Sequence, residues 1–255
     1  MTTRLIQRLR RYRFDWRLSL LTAILLPLMV SLGFWQIRRG DEKTQLQVTY
    51  DARQREPAVT LASLDANADL EYRQVKFNGR YDNDHAFLLD NRLYQGQPGY
   101  EVIVPVIAGD EHIVLVNRGW IAQGPSRTEL PIIAPVPGDV TITGSVYQAV
   151  GKTLVLGATQ ETTGWPRVVE ALDIAQLAAM AGYTDAAKVF PHSVRLADAA
   201  PGVLVRYWPV VSMTPERHYG YAVQWFLMAT ALVVLYLFYS TRTETTDLSM
   251  KGNKQ

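Results

Sequence analysis

Two uncharged apolar runs stand out along the chain, residues 18–37 near its start and 219–239 near its end. Each covers about 20 residues, roughly 30 Å of helix, which matches the hydrocarbon core of a bilayer. Between them the pattern shortens. From Glu71 onward, Tyr72, Gln74, Lys76 and Asn78 alternate with Arg73, Val75, Phe77 and Gly79. That period of two predicts a strand. Further strands are predicted near 86–91, 100–107, 113–117, 140–147, 193–196 and 203–207. Turn chemistry separates several of them, at 82–84, 96–99 and 109–110. Pro131, Pro135 and Pro137 mark a stiff connection without regular structure.

Two soluble helical stretches complete the pattern. Leu46, Thr49, Tyr50 and Arg53 share one helical face, so the first apolar helix continues outward, or restarts after Gly40, and ends before Pro57. Residues 168–181 predict a helix whose apolar face is Val169, Leu172, Ile174, Leu177, Ala178 and Met180, with Gly182 as its stop. The fold class that follows is a membrane protein. Two transmembrane helices flank a β-rich α+β extracytoplasmic domain, an antiparallel barrel or sandwich.

Composition agrees with this layout. A mean hydropathy of -0.04 over 255 residues fits one soluble domain plus two spans, not a multi-span transporter. The division is 1–17 as a basic start, 18–37 as the first span, 38–217 as the domain, 218–239 as the second span and 240–255 as a tail. Six arginines precede Leu18 against Asp15 alone, whereas 38–217 carries 17 basic and 21 acidic residues. Positive flanks stay inside, which puts both termini in the cytoplasm of a bacterial inner membrane and the domain in the periplasm. The residues at 33–38 offer no small-x-small cleavage site, so the first run reads as a retained anchor, not a signal peptide. There is no cysteine. An exported domain without disulfides depends on its apolar core, and thiol redox chemistry is excluded.

Chemistry narrows to histidine. His85, His112 and His192 lie far apart in sequence without ligand spacing. His218 stands at the outer boundary of the second span, where an ionisable residue needs a reason. Tyr221, Ala222, Trp225 and Ala229 follow it at helical spacing and share its face. Two readings stay open on these residues: an interfacial anchor, since His, Tyr and Trp all suit the headgroup level, or an axial ligand to haem iron. Trp35 and Gln36 end the first span at the same level. They join a pocket with His218, Tyr221 and Trp225 only if the two helices pair, for which Gly33 allows close approach. No Gly-x-Ser-x-Gly elbow, calcium loop or phosphate-binding helix start is present. Asn117-Arg118-Gly119-Trp120 ends a predicted strand and sets a cation beside an aromatic.

Several of these segments together resemble the Surfeit locus protein family, assembly factors for cytochrome c oxidase. They are Leu32-Gly33-Phe34-Trp35-Gln36 with Arg39 and Lys43, Tyr72-Arg73-Gln74-Val75 with Gly79 and Tyr81, and Gly99-Tyr100 with Pro105. Val116-Asn117-Arg118-Gly119-Trp120 and the run Arg217-His218-Tyr219-Gly220-Tyr221-Ala222-Val223-Gln224-Trp225-Phe226 complete the set. Their order and the two-span layout agree with the family over most of the chain. Residues 122–191 carry little of the likeness, and the proline usual after Trp120-Ile121 is missing. The resemblance implies a non-enzymatic role in delivering haem a to the oxidase's catalytic subunit. It implies His218 as the iron ligand, Trp35, Tyr221 and Trp225 as pocket residues, and the catalytic subunit and a haem a synthase as partners. A scaffold that never touches haem is the alternative from another class. A tethered periplasmic enzyme is a third, for which no catalytic constellation is found.

Overall fold

The computed structural model of the chain describes residues 15–65, 68–126, 129–148 and 164–240. The arginines before Asp15 and the tail after Ser240, on which the expected orientation rests, lie outside the described residues. The chain divides into two compact units, Met1–Gln47 with Val211–Gln255, and Val48–Val210.

Among the described residues there are three α-helices: α1 (Trp16–Arg55), α2 (Ile174–Met180) and α3 (Pro215–Ser240). α1 and α3 are both long and apolar enough to cross a membrane. α1 is continuous through Gly40 and ends two residues before Pro57, so the expected outward continuation is one uninterrupted helix of 40 residues. Its last turns hold Tyr50, whose ring meets Tyr72 edge-on at 5.0 Å, and Arg53, which pairs with Glu56 at 3.6 Å. Glu56 also pairs with Arg73.

Among the described residues eight strands build one sheet: β1 (Val59–Thr60), β2 (Gln74–Tyr81), β3 (Phe87–Tyr94), β4 (Gln97–Ala108), β5 (His112–Ala122), β6 (Asp139–Tyr147), β7 (Arg167–Val169) and β8 (Ser193–Leu196). The order is β1-β2-β6-β8-β5-β4-β3-β7, and β2 also pairs with β4. That extra pairing, Gly79 against Ala108 through Tyr81 against Val106, closes β2, β6, β8, β5 and β4 into a barrel. Gly79 is required there, because a Cβ would stand 2.7 Å from Val106 and 2.8 Å from the Ile107 carbonyl. The barrel is not wholly antiparallel as expected: β8 runs parallel to β5 and antiparallel to β6.

The alternation in β2 buries Val75, Phe77, Gly79 and Tyr81. With Val104, Val106, Val114, Val116, Ile142, Val146, Val194 and Leu196 they form the barrel interior. A second core of Phe87, Leu89, Ile103, Leu115, Val169 and Leu177 involves β3, β4, β5, β7 and α2. β4 and β5 therefore contribute to both cores, and their sequences read as continuous apolar runs, not alternations.

Two predicted elements differ from the structure. The helix expected over 168–181 begins only at Ile174, where Asp173 caps it by accepting from the Gln176 N–H at 3.0 Å. Val168 and Val169 instead pair with Leu88 and Leu89 as β7; two adjacent β-branched residues suit a strand. The strand expected over 203–207 is reduced to one bridge, Val205 with Trp120. Here Gly119 takes φ +116, and a Cβ on it would lie 2.6 Å from the Val205 carbonyl.

The Asn117–Trp120 motif lies inside β5, not at a strand end. Arg118 is 3% exposed. Its Nε donates to the Gly202 carbonyl at 2.6 Å and its Nη1 to Ala134 at 3.0 Å. Its aromatic neighbour is Tyr81, 5.7 Å away, and not Trp120. Burial lowers the Arg118 pKa and pushes the Tyr81 hydroxyl up to about 12. Trp120 donates to the Arg92 carbonyl at 3.1 Å, and Gly99 leaves room for its ring. Arg118 thus ties the proline-rich connection and the 201–205 segment to the barrel. Gly119→Ala forces a non-glycine residue into the left-handed region against a carbonyl. It should cost about 2–3 kcal/mol, read as a lowered unfolding midpoint of the detergent-solubilised chain.

Candidate functional site

In the first unit, α1 and α3 pack side by side and antiparallel. Ser19 Oγ lies 2.8 Å from the Tyr236 hydroxyl at one end. Gln36 meets His218, and Tyr219 meets Asp41 and Thr44, at the other. Ser19 and Gln36 are roughly 25 Å apart along the helix, so contact runs across a membrane's thickness. Small residues make this possible. A Cβ on Gly33 would sit 2.6 Å from the Phe226 ring, and one on Gly40 would sit 2.6 Å from Tyr219. Ala222 and Ala229 are buried on the facing side of α3. Gly33 and Gly40 are seven apart, as are Ala222 and Ala229, which keeps each pair on one helical face.

His218 lies in this seam, 8% exposed. Its Nδ1 is 2.8 Å from Gln36 Oε1. With the amide oxygen accepting, Nδ1 carries a proton, and in the neutral ring Nε2 then keeps its lone pair. That is the tautomer a metal-ligating imidazole needs, fixed from behind. The Tyr219 hydroxyl donates to Asp41 Oδ1 at 2.8 Å, which holds the neighbouring turn in register.

The other expected pocket residues are spread around the helices. Trp225 is half-buried near the seam, whereas Tyr221 is 44% exposed. Trp35 is 50% exposed and lies one residue, or about 100° of helix, from Gln36. Pairing therefore brings Gln36 and His218 together but leaves Trp35 outside the seam. The expected gap between the helices is closed at the level of Gly33 by Phe226. Tyr221 and Trp225 follow His218 by three and seven positions and share its side of α3. The sequence reading missed Phe226, Tyr219 and Ser19 as seam residues; the seven-residue spacing of small residues on both spans was the signal that could have found them.

The remaining histidines have local partners. His85 Nδ1 is 2.6 Å from Asp82, which also accepts from the Tyr183 hydroxyl at 2.6 Å. His112 Nδ1 is 3.3 Å from the Gly109 carbonyl. His192 Nε2 is 3.3 Å from Gln148. No group of three His, Cys, Asp or Glu that could hold a metal ion occurs among the described residues. Because the chain lacks cysteine, the seam has a clean test: Ser19→Cys with Tyr236→Cys should be joined in full-length protein by a short bis-maleimide, each thiol adding to one maleimide. Failure to crosslink in membranes would contradict the pairing.

Comparison with known proteins places these observations in one family. The sequence profile of the SURF1 family matches residues 23–230, from inside α1 to inside α3. A SURF1-like protein of Rickettsia conorii is 25% identical over 245 residues, covering 90% of this chain and 94% of that protein. A SURF1-like protein of Drosophila melanogaster is 27% identical over 223 residues, 80% of this chain and 71% of that one. Surfeit locus protein 1 of Takifugu rubripes is 28% identical over 132 residues, 45% and 55% of the two chains. With the match running across both membrane-length helices and the barrel between them, the chain belongs to the SURF1 family.

Proposed function

We propose that this chain is a bacterial inner-membrane assembly factor for cytochrome c oxidase that holds haem a at His218 and passes it to the oxidase's catalytic subunit. Both termini are cytoplasmic and the barrel is periplasmic. A haem a synthase in the same membrane is the donor, and the chain catalyses no reaction itself. The observation that carries this reading is the Gln36–His218 contact of 2.8 Å, which engages Nδ1 and leaves Nε2 to serve as the ligand nitrogen. Haem a, when bound, would supply an iron that takes an imidazole nitrogen as a ligand. Gln36 orients the imidazole and fixes its proton on Nδ1. Tyr221 and Trp225 offer ring faces on the lipid-facing flank, and the filled seam keeps the ligand at the surface of the helix pair. A single imidazole ligand would suit release to a partner.

The visible spectrum tests this. Full-length protein from cells that make haem a should carry a Soret band, and His218→Ala should lose it while staying inserted and folded. Gln36→Leu should weaken retention about 10–100-fold, the usual cost of losing an outer-shell partner. The scaffold reading is favoured by one observation, the burial of His218 at 8%. Haem-free wild-type protein from such cells, still supporting oxidase assembly, would establish the scaffold and end the carrier proposal.

A further inference from the structure

α3 carries a second face, on the side away from the seam. Gly220, Gln224, Leu227, Ala231, Val234 and Phe238 follow one another at alternating steps of four and three residues. Such a heptad stripe keeps one line of a helix against a neighbour along its whole length. Gly220, Gln224 and Leu227 stand roughly 180–240° around the helix from His218. All six residues of the stripe are exposed. A Cβ added to Gly220 would meet nothing within 4 Å, whereas Phe226 and Tyr219 already fill the space beside Gly33 and Gly40.

Lipid alone accounts for an apolar stripe, but not for Gln224. Gln36 and Gln224 are the two side-chain amides of the runs 18–37 and 219–239. Gln36 is engaged by His218. Hydroxyls in the spans settle on their own backbone: Thr22 donates to the Leu18 carbonyl at 2.9 Å and Thr230 to the Phe226 carbonyl at 2.8 Å. The Gln224 amide has no hydrogen-bond partner among the described residues. It lies six residues past His218, about 9 Å further along the helix. In hydrocarbon no water completes the bonds of its NH₂ and its carbonyl, and leaving them unmade is costly.

We propose that this face pairs with the same face of a second copy of the chain, α3 against α3 across a two-fold axis along the membrane normal. Copies inserted in one orientation hold Gln224 at one depth. An amide is both donor and acceptor, so two of them facing each other across the axis bond reciprocally. A foreign helix would have to bring its own polar group to that depth. The open Gly220, one turn before Gln224, lets the two backbones approach, as small residues do between membrane helices. A lone amide in a heptad stripe also fixes register, because any slip leaves it unpaired. The pairing leaves the Gln36–His218 contact untouched and does not rest on the haem reading.

The test is cysteine crosslinking of the full-length protein in native membranes, made at low level. Leu227→Cys places a thiol on the stripe. Leu28→Cys places one on α1 at the same level, as the Ser19–Tyr236 and Gln36–His218 contacts set it, and both leucines are exposed. Copper phenanthroline with oxygen oxidises two adjacent thiols to a disulfide. Leu227→Cys should give roughly fivefold more linked dimer than Leu28→Cys; adding Gln224→Leu should cut that yield about threefold, while Gln224→Asn, which keeps the amide, should retain most of it. Equal yields from the two cysteines, or a Leu227→Cys yield indifferent to Gln224→Leu, overturns the proposal. So does a thiol at 227 that links to a different protein and not to a second copy, which assigns a foreign helix to this face.

Discussion

Close approach of two helices at Gly33 and Gly40 is the constraint from which the candidate site follows. Without side chains at these positions, Phe226 and Tyr219 lie directly against the α1 backbone, and the register between the helices is set. That register brings Gln36 to His218 and Ser19 to Tyr236. In lipid there is no hydrophobic drive between helices, so van der Waals fit and a few polar contacts must hold them together. A histidine in the seam contributes one such contact and becomes chemically defined by it. Packing and tautomer are therefore one problem here, solved by the same small residues.

The barrel shows the same logic in water. It has no disulfide, so closure depends on backbone pairing and a packed valine-rich interior. Gly79 permits the β2–β4 pairing that closes the ring. Gly119 lets the 203–205 segment cross β5. Arg118, whose charge is buried, is satisfied by carbonyls of two loops that otherwise have little regular structure. The segments that resemble the family outside the spans thus lie in or beside the strands of the barrel, where Gly79 and Gly119 permit its close contacts.

Much of this was legible in the sequence. The spans, the barrel strands and the turn at 82–84 followed from charge-free length, period two and turn chemistry. What was not legible depended on contacts distant in the chain. Val168 and Val169 carry a helix-compatible pattern, and only the exposed edge of β3 makes them a strand. Residues 203–207 alternate like a strand, but Gly119 allows a single bridge. The motif at 117–120 suggested an Arg–Trp stack, whereas the barrel turns Arg118 toward Tyr81. Trp35 ends its span at the level of His218, yet level along a helix does not fix which side a residue faces. Pairing was visible in principle, in the matched seven-residue spacing of small residues.

The imidazole's tautomer connects the helix seam to the proposed haem site most directly. Histidine-labelled full-length protein in nanodiscs, with His218 assigned by comparison with His218→Gln, should show nitrogen NMR shifts for a protonated Nδ1 and a bare Nε2. Gln36→Leu should remove that bias. A proton resident on Nε2, or a spectrum indifferent to Gln36, would contradict a ligand nitrogen prepared by the helix seam.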